Sequence, residues 1–221
     1  MEITWLGQSC FKIKGNSLIL ITDPYDTGIG LRLPKLEADI VTISHNHFDH
    51  NNINAVDGDP FVIDGPGEYE MKGINITGIS SFHDQSEGQD HGNNTIYLIE
   101  MDELRICHLG DLGHTLSNST LEKIDGVDIL MVPCGGVYTL GAEKAQEVIS
   151  QINPKIIIPM HYKIDKLNVD LDSLDNFCKE TGTRKESQDK LVIKKSTLSQ
   201  EEEEQIIILK KNNSVNLCGI Q

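Results

Sequence analysis

Residues 45 to 50 read His45-Asn46-His47-Phe48-Asp49-His50, and they follow directly on the run Ile40-Val41-Thr42-Ile43. Three imidazoles and a carboxylate within six residues exceed what a solvated loop collects by chance, because neutral imidazole and carboxylate are the usual ligands of zinc and its neighbours. A short β-branched run predicts a fully buried strand, so the cluster begins at a strand end, at the sheet edge where sites are usually built. Any fold of this chain must therefore bury that strand and open a metal-binding loop behind it. In a tight turn His45 and His47 can face one metal while Asp49 and His50 swing toward a second position. Asp49-His50-Asn51-Asn52 supplies capping residues ahead of a predicted short helix.

Further strands are predicted near 2 to 6, 10 to 14, 18 to 22, 40 to 44, 61 to 64, 74 to 79, 95 to 100, 104 to 108, 128 to 132, 156 to 159, 190 to 195 and 205 to 209. Helical spacing joins Ala142, Ala145, Val148, Ile149 and Ile152, and again Leu171, Leu174 and Cys178. Three of the strands run into further ligand-type residues: Ser81-Phe82-His83-Asp84, His108-Leu109-Gly110-Asp111 and Ile158-Pro159-Met160-His161-Tyr162. One histidine or aspartate at a strand end says little, but several in succession define a pattern.

The pattern resembles the metallo-β-lactamase superfamily of hydrolases, whose signature is His-x-His-x-Asp-His after a strand. Within it the chain is similar to the small zinc-dependent hydrolases of the ascorbate-6-phosphate lactonase type, through Trp5-Leu6-Gly7-Gln8-Ser9-Cys10-Phe11, Thr22-Asp23-Pro24, Gly65-Pro66-Gly67-Glu68-Tyr69-Glu70, His108 to His114, Val132-Pro133-Cys134-Gly135-Gly136 and Pro159-Met160-His161-Tyr162. The resemblance runs from residue 1 to about residue 210. It implies an α/β fold, the four-layer αββα sandwich of two mixed β-sheets with helices on the outer faces. It also implies one metal on His45, His47 and His83 and a second on Asp49, His50 and His161, with Asp111 bridging. Two divalent ions are expected, zinc first, with manganese or iron suiting the same ligands. A metal-bound hydroxide would then attack a small ester, lactone or phosphoester, with Asp49 both a ligand and the group that orients the water or shuttles its proton.

The remaining residues bound this reading. At 221 residues and 38% hydrophobic content the chain can bury a full core, and with no linker in sight residues 1–210 are expected to form one domain and 211–221 a tail. Glu201 to Glu204 is expected to be a solvated turn. A net charge of −15 repels phosphate backbones and anionic membranes, and no Lys/Arg cluster is evident along the chain. A small substrate, an anion included, is favoured over nucleic acid. That weighs against the alternative of a ribonuclease Z-type phosphodiesterase. A non-hydrolytic iron enzyme of the same fold is the other alternative, disfavoured because His47 stands where the oxygen-reducing branch usually has a glutamate. The absence of a membrane-length apolar stretch or a signal peptide predicts a cytoplasmic protein. Five cysteines, Cys10, Cys107, Cys134, Cys178 and Cys218, at wide spacings fit neither a disulfide framework nor a zinc finger.

Several neighbours stay open. Asp23 could hold a ligand histidine through its free N–H or simply form a turn. His108 is expected to point into structure, and His114 to cap a turn. His91 competes with His83 for the third ligand position but lies in a Gly- and Asn-rich loop expected to be mobile. Tyr162 and Lys163 could touch a substrate anion or be solvated.

Overall fold

A computed structural model describes residues 1–198 and 204–212. The amino-terminal part forms β1 (Glu2–Gly7), β2 (Cys10–Lys14), β3 (Ile19–Thr22), β4 (Leu36–Glu37), β5 (Ile40–Thr42), β6 (Val56–Asp57) and β7 (Phe61–Ile63). The rest forms β8 (Gly67–Met71), β9 (Ile74–Phe82), β10 (Asn93–Met101), β11 (Leu104–His108), β12 (Ile129–Pro133), β13 (Ile156–Met160), β14 (Ser187–Gln188), β15 (Leu191–Val192), β16 (Gln205–Ile206) and β17 (Ile208–Leu209). One sheet has the order β15-β1-β2-β3-β5-β7 and the other β16-β13-β12-β11-β10-β9-β8. In the first, β1, β2 and β3 are antiparallel neighbours, whereas β3, β5 and β7 run parallel. In the second, β9, β10 and β11 are antiparallel, whereas β11, β12 and β13 run parallel. This is the expected sandwich of mixed sheets.

The two-residue period of a strand explains how the first sheet buries both faces. Leu20 and Ile40 join Trp5, Phe11 and Ile13 in the central core, while their neighbours Ile21 and Val41 join Leu6, Tyr25, Leu36 and Leu171 in a second cluster. That outer cluster is closed by loops and 3-10 turns. On the second sheet, α2 (Ala142–Ile152) turns Ala145, Val148 and Ile149 inward, the i, i+3, i+4 stripe of a helix lying on a core. It packs against β12 and α3 (Leu174–Thr181). A further helix, α1 (Asn118–Lys123), is capped by Ser117, whose side chain accepts from the Thr120 N–H. The sheets are tied by the wholly buried Tyr97 of β10, whose hydroxyl donates to the Ile43 carbonyl at 2.8 Å and to that of Ile63 at 3.1 Å. The Thr95 N–H adds a bond to the Ser44 carbonyl at 2.8 Å.

Differences from the predicted elements are local. The strand expected over 190 to 195 is only β15, followed by a 3-10 turn at Lys195–Thr197. The one expected over 205 to 209 divides into β16, paired with β13, and β17, paired with β14. The helix expected after His50 is a single 3-10 turn, Ile53–Ala55, and Asn52 makes no side-chain capping bond there. The predicted turn at Glu201 to Glu204 lies, but for Glu204, outside the described residues, as does the tail beyond Asn212. Among the described residues no helix is long and apolar enough to cross a membrane.

Candidate metal centre

Strand direction brings the candidate ligands to one edge. β9 and β11 are both antiparallel to β10, so they run the same way and their carboxyl ends emerge together, with β12 and β13 alongside. His83 follows β9, Asp111 follows β11 and His161 follows β13; from the other sheet, Asp23 follows β3 and residues 45 to 50 follow β5. Crevices at the carboxyl ends of parallel strands are the usual ligand sites of open α/β sheets.

At this edge four imidazoles converge on one carboxylate oxygen. Asp111 Oδ2 lies 3.1 Å from His161 Nε2, 3.2 Å from His50 Nε2, 3.3 Å from His83 Nε2 and 3.9 Å from His45 Nε2. Ligand atoms of His45, His47 and His83 lie within 4.8 Å of one another, as do those of Asp49, His50 and His161, and those of His45, His50 and Asp111. The first two groups match the two ligand sets expected from the sequence, and the third spans them.

The surrounding groups fix these rings. Asp23, 0% exposed, accepts from the Ser44 N–H at 2.7 Å, the Ser44 hydroxyl at 2.6 Å and His50 Nδ1 at 2.9 Å. This keeps a proton on His50 Nδ1, so that a metal displacing the proton from Nε2 meets a lone pair facing the cluster, the usual carboxylate support of a metal-binding histidine. The Tyr138 carbonyl does the same for His83 Nδ1 at 3.1 Å. Asn94 accepts from the Asp111 N–H at 3.0 Å and donates to the Leu109 carbonyl at 2.9 Å, clamping the turn that carries Asp111. Gly110 sits at φ +56, and a Cβ there would come within 2.3 Å of Asn94 Oδ1 and 2.6 Å of Ser44 Cβ, so this turn has room only for glycine. Ser9 donates to Asp111 Oδ1 at 3.2 Å. The Gln8 amide nitrogen lies 3.1 Å from both Asp49 Oδ2 and His161 Nε2.

The electrostatics suit cations. Burial, and then the neighbouring His50, pushes His45 down to about 3, so it is neutral and its lone pair is free. Burial opposes the ionisation of Asp111, yet His161 and His50 outweigh it and hold the carboxyl well below its usual range. Burial likewise opposes charge on His50, but Asp111 and Asp49 raise it well above its ordinary value. The buried Nε2 atoms of His45 and His50 have no hydrogen-bond partner, an arrangement normally avoided in an interior. Divalent ions would satisfy both atoms, and the imidazole and carboxylate donors fit zinc, manganese or iron.

The open neighbours are now placed. His91 belongs to none of the three groups; its ring centre is 5.3 Å from that of His83 and 5.8 Å from that of Tyr138. Its loop is gathered around one carboxylate: Asp84 accepts from the N–H groups of Ser86, Gly88, Asp90 and His91. His108 is buried and bonds the Ser9 carbonyl at 2.9 Å. His114 accepts from the Phe82 N–H and donates to the Thr115 carbonyl, holding the end of β9. Tyr162 is buried against Trp5 with ring centres 5.0 Å apart, and Lys163 donates to the carbonyls of Leu167 and Val169. Tyr162 is shut off from solvent and Lys163 is exposed, and neither lines the cavity over the ligands. Cys10, Cys107, Cys134 and Cys178 are buried and unpaired with one another.

Sequence reasoning assigned no role to Gln8, Ser9, Ser44, Asn94 or Tyr138. Gln8 and Ser9 stand inside a motif already noted, and the positive φ of Gln8, 52°, marks a turn that the preceding glycine could have signalled. It also found no basic cluster, whereas Arg32, Lys163, Lys166, Lys185, Lys210 and Lys211 line one groove of about 1040 Å³. These cations come from four separated segments, so no local run announces them.

Comparison with known proteins agrees with the geometry. A family model described as a beta-lactamase superfamily domain matches residues 2–161. A metal-dependent hydrolase of Thermoplasma volcanium is 28% identical over 215 residues, covering 83% of this chain and 93% of that protein. A metal-dependent hydrolase of Pelotomaculum thermopropionicum is 30% identical over 199 residues, covering 73% and 84%. A solved structure from Thermotoga maritima, assigned to the zinc-dependent hydrolases of the metallo-β-lactamase superfamily, superposes with a TM-score of 0.76 at 33% identity, covering 95% of this chain and 100% of that one. None of these supports the narrower likeness to the ascorbate-6-phosphate lactonase type.

Proposed function

The chain belongs to the metallo-β-lactamase superfamily of metal-dependent hydrolases, and on that premise we propose that it cleaves a small ester, lactone or phosphoester with the help of two divalent ions, zinc foremost. The observation that carries this is the convergence of His45, His50, His83 and His161 on one oxygen of Asp111, at 3.1 to 3.9 Å. Seven ligand-type side chains are too many for one tetrahedral ion. His45, His47 and His83 would hold one ion and Asp49, His50 and His161 the other, with Asp111 between them. When bound, such ions supply an activated water at neutral pH and polarise the scissile carbonyl or phosphoryl oxygen.

The chain's own groups do the rest. Asp49, steadied by the Gln8 amide at 3.1 Å, orients the attacking water and accepts its proton. Asp23 and the Tyr138 carbonyl keep His50 and His83 in the tautomer that presents Nε2. The net charge of −15 favours a small substrate over nucleic acid or an anionic membrane, and a cytoplasmic setting accords with four buried, unpaired cysteines.

The test is to strip the protein with a chelator, reload it with zinc or manganese, and combine elemental analysis with a lactone, thioester and phosphodiester panel. Two ions per chain and turnover that returns on reloading are expected. At most one ion per chain after saturation with either metal would overturn the two-ion reading.

A further inference from the structure

A cavity of about 510 Å³ lies over the candidate ligands, with Ile29, Phe48, Tyr138 and Val169 among its walls and, among the described residues, no lysine or arginine in its lining. Phe48 is 60% and Tyr138 40% exposed. A single open ring needs no explanation, but two on the wall of one cavity form an apolar patch of the kind that marks a binding surface. Both rings are set on fixed backbone. The Phe48 carbonyl accepts from the Asp26 N–H at 3.0 Å, and the Tyr138 N–H closes a tight turn on the Gly136 carbonyl at 2.6 Å. Val137, between Gly136 and Tyr138, adopts φ +58, a conformation that a β-branched residue tolerates poorly and that tends to persist at functional sites.

The cations that would recognise a phosphoryl group by charge-assisted hydrogen bonds are elsewhere: Arg32, Lys166, Lys210 and Lys211 line the separate groove. The cavity instead adds Asp170 to Asp49 and Asp111.

Building on the hydrolase reading above, we infer that the site takes an uncharged carboxylic ester or lactone with an aromatic or branched apolar arm seated against Phe48 and Tyr138, in preference to a phosphoester. The water oxygen adds to the carbonyl carbon, the acyl–oxygen bond breaks, and the proton released from water passes to the departing alkoxide, giving carboxylic acid and alcohol. Apolar contacts that persist into the transition state raise kcat/KM, by about tenfold or more for a group of one or a few carbons.

Zinc-loaded protein is assayed with 4-nitrophenyl acetate, 4-nitrophenyl phenylacetate and 4-nitrophenyl phosphate, each rate divided by that of free hydroxide where it is measurable. The phenylacetate is expected to exceed the acetate by about tenfold or more in kcat/KM, with the phosphate slowest. Phe48→Ala and Tyr138→Ala should each shrink that ratio, chiefly through KM, with metal content unchanged, because the Tyr138 carbonyl that supports His83 belongs to the backbone. A phosphate faster than both esters, or a ratio that neither variant alters, overturns the inference. If none of the three substrates turns over while two zinc ions are bound, the proposed ester, lactone or phosphoester cleavage fails, and binding of phenylacetamide against acetamide then decides the cavity's preference. Tighter binding of phenylacetamide that both variants weaken sustains the apolar seat, and equal affinities refute it.

Discussion

Replacing Asp23 with asparagine keeps the volume of a wholly buried side chain and changes one oxygen into an NH2 group. Asp23 accepts three hydrogen bonds, from the Ser44 N–H, the Ser44 hydroxyl and His50 Nδ1. Asparagine can keep its oxygen on the Ser44 N–H, but its NH2 then faces His50 Nδ1, donor against donor. His50 escapes by moving its proton to Nε2, which withdraws the lone pair that the metal requires. Restoring the metal-binding tautomer leaves a buried donor unmet, at a cost of about 1–3 kcal/mol. Since about 1.4 kcal/mol is a factor of ten in affinity, zinc should bind roughly 10- to 100-fold more weakly at the position that includes His50, the range usual for such supporting carboxylates. Competition against a chromophoric zinc chelator reads this directly. Urea unfolding of the metal-free protein should show a separate loss of about 1–3 kcal/mol, because a neutral amide replaces the ionised acceptor of the Ser44 and His50 hydrogen bonds. Wild-type zinc affinity at both positions in Asp23→Asn would refute the idea that this carboxylate sets the tautomer.

Asp111→Ala should lower kcat/KM by about 100-fold or more while circular dichroism stays native, and near-normal turnover would defeat the two-ion mechanism. His83→Ala should lose metal on zinc titration, whereas His91→Ala should keep both ions and change only substrate binding; the reverse result would exchange their roles. Tyr97→Phe removes a hydroxyl that serves two carbonyls of the facing sheet, so urea denaturation should show a loss of about 1–2 kcal/mol, and an unchanged midpoint would deny that these bonds tie the sheets.

The candidate ligands were legible one by one because each stands at a strand end, while their grouping around two ions came from the family resemblance. Residues 45 to 50 announce themselves, and a β-branched run such as Ile156 to Ile158 marks the strand that delivers His161. Helix α2 was legible because its inward stripe is written at i, i+3 and i+4. What escaped is made by juxtaposition. The Tyr138 carbonyl supports His83 from 55 residues away and Ser9 reaches Asp111 across 102, and a main-chain carbonyl carries no mark in the sequence. The basic groove was missed likewise, because its cations meet only after folding. Weak two-residue strands such as β4 and β6 pair at Leu36 with Val56, a register that tertiary packing decides and local propensity does not.

The candidate ligands are drawn from both sheets: His45, His47, Asp49 and His50 hang from the first, and His83, Asp111 and His161 from the second. Ions held among them would act as rivets across the seam of the sandwich, at the same margin where Tyr97 and Thr95 already stitch the two halves together. Loading would then be a mechanical event as well as a chemical one. The carboxyl-end margin becomes the last part of the molecule to part under strain in the loaded protein and the first to gape after chelation, so a protease added to each form should find its earliest cut moved to a different end of the sandwich.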